Sequence, residues 1–223
     1  YLAFRLAEQM KLPIDKQKDI FLAALAHDIG ALSMHERLEI IETEPITVSN
    51  HAFQGAKLLA GFKLMQNSCD IIKFHHLPWN YGEGRSYKGE IVPLGSHIVH
   101  LAVRTCAMIG AGRNVITQLP DILSAVNEKK GSIFEPELVD KLFELSTKEY
   151  IWLDLTSPSP LKMIPDVGLF NILVLEIDDI IDLSLIFSQL IDFRSSFTAR
   201  HSAGVAKTAE RLAQLVGFSP YEC

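Results

Sequence analysis

Hydrophobic residues along most of this chain recur at three- and four-residue spacing, the period of a helix with one buried face. Positions 15–26 place Ile20, Phe21, Ala24 and Leu25 together, and Gly30 stands where such a run would stop. Positions 50–61 put Ala52, Ala56 and Leu59 on one side. Positions 67–76 form another such run, closed by Pro78. A long apolar run over 93–109 ends at Gly110 and Gly112, and shorter ones cover 119–127 and 136–146. Positions 77–92, with Pro78, Asn80 and several glycines, read as a loop. Further on, 178–193 is a helix, and 198–217 carries Val205, Ala209, Leu212 and Val216 on one stripe. No run with a strand period competes with these. The pattern predicts an all-α bundle with a C-terminal helical extension.

Pro158, Pro160 and Pro165, set among serines and threonines, mark a break between helical stretches. The expected organisation is a helical domain over 1–155, a linker over 156–177 and a helical segment over 178–223. A weak internal repeat supports two related units. Ala3-Phe4-Arg5-Leu6-Ala7-Glu8 lines up with Ala209-Glu210-Arg211-Leu212-Ala213-Gln214. Tyr1 opens inside an amphipathic pattern without a capping residue, so the first helix reads as truncated. Phe218-Ser219-Pro220 reads as the start of a helix rather than its finish.

Composition narrows the function classes. The chain is 48% hydrophobic and 22% charged, which places it among globular rather than disordered sequences. A net charge of −6 argues against a nucleic-acid polymer as partner. The most apolar stretch, 169–191, carries Glu176, Asp178, Asp179 and Asp182, which argues against a membrane span. Cys69, Cys106 and Cys223 are scattered without a CxxC pair and point to a reducing, cytoplasmic setting.

The chemistry lies in the order of the histidines. His27-Asp28 precedes Gly30 at a helix end, His51 opens the next helix, and His75-His76 sit at the end of a third. Imidazole and carboxylate are the usual ligands of borderline divalent metals, and a carboxylate can bridge two ions. Two successive side chains reach one ion more easily at a helix end than in mid-helix, where neighbours point about 100° apart. His27, Asp28, His51, His75 and His76 are therefore the candidate ligands, with His27 and Asp28 also the candidate catalytic pair. His35, His97 and His100 are read as ordinary core or surface residues.

These motifs resemble the HD superfamily of metal-dependent phosphohydrolases, in particular its HD-GYP branch. Leu25-Ala26-His27-Asp28-Ile29-Gly30 is similar to its namesake motif, Asn50-His51-Ala52-Phe53-Gln54-Gly55-Ala56 to its single-His helix, and Ile72-Lys73-Phe74-His75-His76 to its His-His segment. Ile91-Val92-Pro93-Leu94 looks like the entry to the next helix, and Phe134-Glu135-Pro136-Glu137-Leu138-Val139 like the closing segment. Positions 190–202, ending in Ala199-Arg200-His201-Ser202, look like the opening of a second such domain. The departures matter as much. The family's Lys after the first motif is Ala31, its Glu after His-His is Leu77, and its last Asp ligand is Val103. Its GYP signature has become Asn80-Tyr81-Gly82-Glu83-Gly84-Arg85.

The resemblance implies a divalent metal (Fe, Mn, Zn, Ni or Mg) and a degenerate HD domain with a regulatory or weakly metal-binding role in a tandem HD signalling protein. A second HD domain of the same protein is then the expected partner, with a homodimer through the C-terminal helix as another. The alternative function is a metal-dependent phosphodiesterase acting on cyclic di-GMP or another phosphate ester.

Overall fold

The computed structural model describes residues 1–31, 50–80, 84–164, 174–193 and 201–219. Ten α-helices appear among them: α1 Leu2–Gln9, α2 Ile14–Ala26, α3 Asn50–Leu59, α4 Gln66–Lys73, α5 Leu94–Ala107, α6 Val115–Glu128, α7 Pro136–Ser146, α8 Glu149–Leu155, α9 Ile177–Phe193 and α10 His201–Leu215. The chain is all-α apart from one two-stranded hairpin, Ser86–Tyr87 paired antiparallel with Glu90–Ile91. None of these helices is long and apolar enough to cross a membrane. The parts of the motif reading that fall on 81–83 and 194–200, and His35, lie outside the described residues.

Helix α5 is the axis of the bundle. It buries Gly95, Ser96, His97, Ile98, Val99, His100, Leu101 and Ala102 in succession, so it is covered on all sides rather than on one stripe. Helices α1, α2, α4 and α7 pack around it. Leu2 and Leu6 of α1, Ile20 and Ala23 of α2, Ile71 and Ile72 of α4, and Leu138 and Leu142 of α7 complete one continuous core with Trp152 of α8. Gly95 explains how closely three helices meet. A Cβ there would stand 2.7 Å from Ile71 Cδ1 and 2.9 Å from Ile20 Cγ1.

Several boundaries differ from the sequence pattern for physical reasons. Helix α6 begins at Val115, ahead of Pro120. Its N-cap Asn114 accepts the Ile116 amide at 2.9 Å, which secures the first turn despite the internal proline. The hairpin within the expected 77–92 loop turns through Lys88 (φ 50°) and Gly89 (φ 83°), the two successive positive φ values of a tight two-residue hairpin turn. Helix α8 and a short 3₁₀ turn, Pro160–Met163, occupy stretches read as domain end and linker. In the C-terminal segment, α9 buries Ile186, and Ser202 of α10 donates to Asp192 at 2.9 Å. The stripe of α10 stays exposed at Val205, Leu212 and Val216.

The link between fold and site is Gly30. A Cβ on it would lie 2.1 Å from the His51 carbonyl oxygen and 2.4 Å from the Gly55 amide nitrogen. Both obstacles are backbone, so no rotamer change relieves them. Gly30→Ala should therefore lower stability by on the order of 3 kcal/mol, while Gly61→Ala, with nothing within 4 Å of its Cβ, should stay within about 0.5 kcal/mol. Urea unfolding of both variants is the check, and equal midpoints would remove Gly30 from its role.

Candidate metal centre

Three helix ends meet at one point. Helix α2 stops at Ala26 with His27 as its C-cap, and Asp28 follows in the turn. Helix α4 stops at Lys73 with Phe74 as its C-cap, and His75 and His76 follow. His51 enters from the first turn of α3. One ligand atom each from Asp28, His51, His75 and His76 lies within 4.8 Å of every other. His27 is brought against the group without joining that set. Its Nε2 is 3.0 Å from Asp28 Oδ2, and its ring meets His75 edge-on at 5.3 Å.

The hydrogen bonds around this cluster assign its protons. His75 Nδ1 is 2.7 Å from the Ile72 carbonyl, and His27 Nδ1 is 2.9 Å from the Ala24 carbonyl. A carbonyl only accepts, so both Nδ1 atoms carry hydrogen and a neutral ring leaves each Nε2 with a lone pair. Those lone pairs face a carboxylate. Asp28 Oδ1 stands 3.2 Å from His51 Nε2 and 3.7 Å from His75 Nε2, with hydrogen-bond geometry to neither. His51 Nε2 and His76 Nε2 are 3.1 Å apart. Acceptors converge on acceptors, and buried Asp28 Oδ1 and His75 Nε2 have no partner. Such an arrangement is costly unless a cation stands among the atoms. The donor set thus fits a divalent ion held by three imidazoles and one carboxylate.

Electrostatics point the same way. Burial would raise the Asp28 carboxyl, but hydrogen bonds from His27, His51 and His75 outweigh it and hold it far below the usual carboxylate range. Burial drives His75 and His76 below the ordinary imidazole value, and for His76 the neighbouring His75, His51 and His100 push the same way. These rings stay neutral, as ligation requires. His27 is the exception. Burial lowers it, yet the hydrogen bond and charge of Asp28 prevail and raise it.

The surroundings show what is not there. Ala31 is fully buried and offers no charge to a phosphate. Val103, where the resemblance expects an acid, is only partly buried and has no donor atom. Two residues read as ordinary are drawn toward the site. His100 lies 6.2 Å from the His76 ring, and His97 packs edge-on against Trp79 at 5.1 Å while its Nε2 meets the Gly84 carbonyl at 3.2 Å. Their spacing of three on a helix buried all round was the available signal, since a buried imidazole needs a partner.

His97 carries the pH dependence. Burial lowers it from 6.5 to about 4, the Gly84 carbonyl partly opposes this, and Arg85 adds to it. His100 falls to about 3, again chiefly through burial. A depressed imidazole contributes stability that is present above its unfolded value and lost as pH falls toward the folded one. His27, being raised, acts oppositely, with its contribution lost as pH rises. Stability should therefore drop between pH 6.5 and about 4. His97→Gln should recover on the order of 2 kcal/mol of that loss at the acid end. Urea midpoints across this range are the measurement, and parallel curves for both proteins would contradict the assignment.

The chain is 23% identical over 230 residues to the 3'3'-cGAMP-specific phosphodiesterase 1 of Vibrio cholerae serotype O1 (strain ATCC 39315 / El Tor Inaba N16961), an alignment covering 98% of this chain and 53% of that protein. Its fold is similar to the crystal structure of a cyclic GMP-AMP specific phosphodiesterase of V. cholerae (V-cGAP3), with a TM-score of 0.66, 18% identity, and coverage of 99% of this chain and 60% of that one. The chain spans little more than half the length of these relatives. Helices α1 to α5 and all five candidate ligands fall inside residues 1–108, and this stretch matches the family model described as HD domain.

Proposed function

We propose that residues 1–108 form a divalent-metal-binding HD domain of a protein that acts on cyclic dinucleotides, and that this domain's own role there is regulatory. The observation that carries the reading is the convergence of Asp28, His51, His75 and His76 within 4.8 Å, beside Ala31 and Val103 at the positions where a phosphate-binding cation and a further acid are expected. Four ligand atoms serve one ion, and a second finds too few. Three imidazoles to one carboxylate favour Zn, Fe, Ni or Mn over Mg. The cyclic dinucleotide is inferred from the printed activities of the two relatives.

Hydrolysis by this domain itself is the second reading, favoured by an alignment that covers 98% of the chain. When bound, a divalent ion supplies Lewis-acid chemistry at a phosphate oxygen. Asp28 would hold the ion, and His27 would hold a proton at Nε2 against Asp28 Oδ2. No described cysteine serves as a nucleophile in its place, since burial raises the thiols of Cys69 and Cys106 to about 11. Those unpaired thiols are also the support for a cytoplasmic setting.

A second HD domain of the same protein is the partner we infer, supported by the internal repeat over 209–214 and by the exposed stripe of α10. A homodimer through the same stripe is the competing arrangement. Leu212→Asp with Val216→Asp should convert a dimer of this chain to monomer in light scattering. A mass already monomeric in the parent chain would dispose of the homodimer.

Metal analysis after dialysis should give one equivalent per chain, and Asp28→Ala or His51→Ala should weaken binding by at least ~100-fold, beyond the loss typical of an outer-shell change. Two tightly held equivalents would contradict the one-metal reading. With manganese or iron added, turnover of 3'3'-cGAMP and cyclic di-GMP should be slight. Vigorous turnover abolished by Asp28→Ala would replace the regulatory reading with the hydrolytic one.

A further inference from the structure

Behind the candidate ligands, one buried imidazole edge has no partner. His76 turns Nε2 toward His51 at 3.1 Å, while its Nδ1 is buried without a hydrogen bond. Three rings surround it: His75 at 4.1 Å, His51 at 4.9 Å and His100 at 6.2 Å. His75 is committed at both nitrogens, to the Ile72 carbonyl and toward Asp28, and His51 Nε2 is already shared between Asp28 and His76. His100 remains. Its Nδ1 is also buried and unpartnered. It is hydrogen-bonded to the backbone carbonyl of Leu77, which takes a hydrogen from Nε2 because Nδ1 has no partner. A neutral ring with its proton on Nε2 can only accept at Nδ1. The far face of the His100 ring meets Phe134 at 5.6 Å, which keeps the imidazole from turning away.

We propose that His100 is the positioning residue for His76: its Nδ1 accepts the Nδ1–H of His76 through one bridging water. That bond fixes the tautomer in which the His76 Nε2 lone pair faces Asp28 and His51. The separation of 6.2 Å between ring centres suits a single water better than direct contact, and two facing polar atoms give that water partners. His100 is not a fifth ligand, because no atom of it joins the set lying within 4.8 Å. It acts through His76, as the outer partners of metal-bound imidazoles do. The assignment also orders the metal-free cluster, since His51 Nε2–H must then donate to His76 Nε2. Its functional weight rests on the metal-binding reading above, but the tautomer does not.

Two measurements separate these. Nitrogen-15 NMR of the histidines in the metal-free chain should show His76 protonated at Nδ1. His100→Leu should remove that preference, and His100→Asn, whose Oδ1 replaces the Nδ1 acceptor, should restore it. Zinc titration of the same proteins should show His100→Leu weakened by ~10–100-fold, His100→Asn within a few-fold of the parent, and His97→Asn unchanged. The proposal is overturned if His76 carries its proton on Nε2, or if His100→Leu leaves both tautomer and affinity as they were. A His76 tautomer that depends on His100 in a chain that binds no zinc would sustain the positioning role and sink the metal reading. Unfolding of each variant at one pH identifies any loss that comes from the fold alone.

Discussion

The backbone of Gly30 against the backbone of α3 is the contact on which the site depends. With 2.1 Å between an added Cβ and the His51 carbonyl oxygen, only glycine lets the turn after α2 lie on the first residues of α3. That approach brings Asp28 Oδ1 to 3.2 Å from His51 Nε2. Gly55 continues the seam, its own Cβ position lying 3.2 Å from the Gly30 amide nitrogen. Two glycines therefore hold two helix ends at a spacing that no pair of larger residues reproduces. Helix α4, packed against both α2 and α3, then delivers His75 and His76 from the third side.

The surrounding core tolerates what this seam concentrates. Buried acceptors without donors are expensive, on the order of 1–3 kcal/mol for each group, and here Asp28 Oδ1, His75 Nε2 and His76 Nδ1 stand together. The same helices bury Ile20, Ile71, Ile72, Ile98 and Leu101 close by. Such apolar burial is worth roughly 1.5–3 kcal/mol per large side chain. The fold thus holds an unfavourable polar cluster in place without needing the cluster for its own stability, which is the usual relation between scaffold and site.

How much of this was legible follows from the range of each interaction. The helical periods over α2, α3, α4, α5, α7 and α9 are local and were read directly, as were His27-Asp28 before Gly30 and the His75-His76 pair. The hairpin at 86–91 was not, because Lys88 holds the positive-φ position where Asn or Asp would have signalled the turn. The first turn of α6 was hidden by Pro120. His97 and His100 were passed over because burial on all sides of α5 is a tertiary fact. A histidine in an apolar helix reveals a partner only once α4 and the 129–134 turn are in place around it.

Helix polarity gives the centre a sign of its own. Helices α2 and α4 both point their C-termini at the cluster, and each C-terminus carries a partial negative charge of roughly half an electron. Some of those terminal carbonyls, Ala24 and Ile72, face the histidine rings directly. With ionised Asp28 between them, the local potential is negative before anything binds. The pocket therefore attracts cations and repels a bare phosphate, the reverse of the helix N-terminal sites that cradle anions. A phosphate ester reaches this place only in the company of a metal, so the order of arrival is written into the direction of two helices.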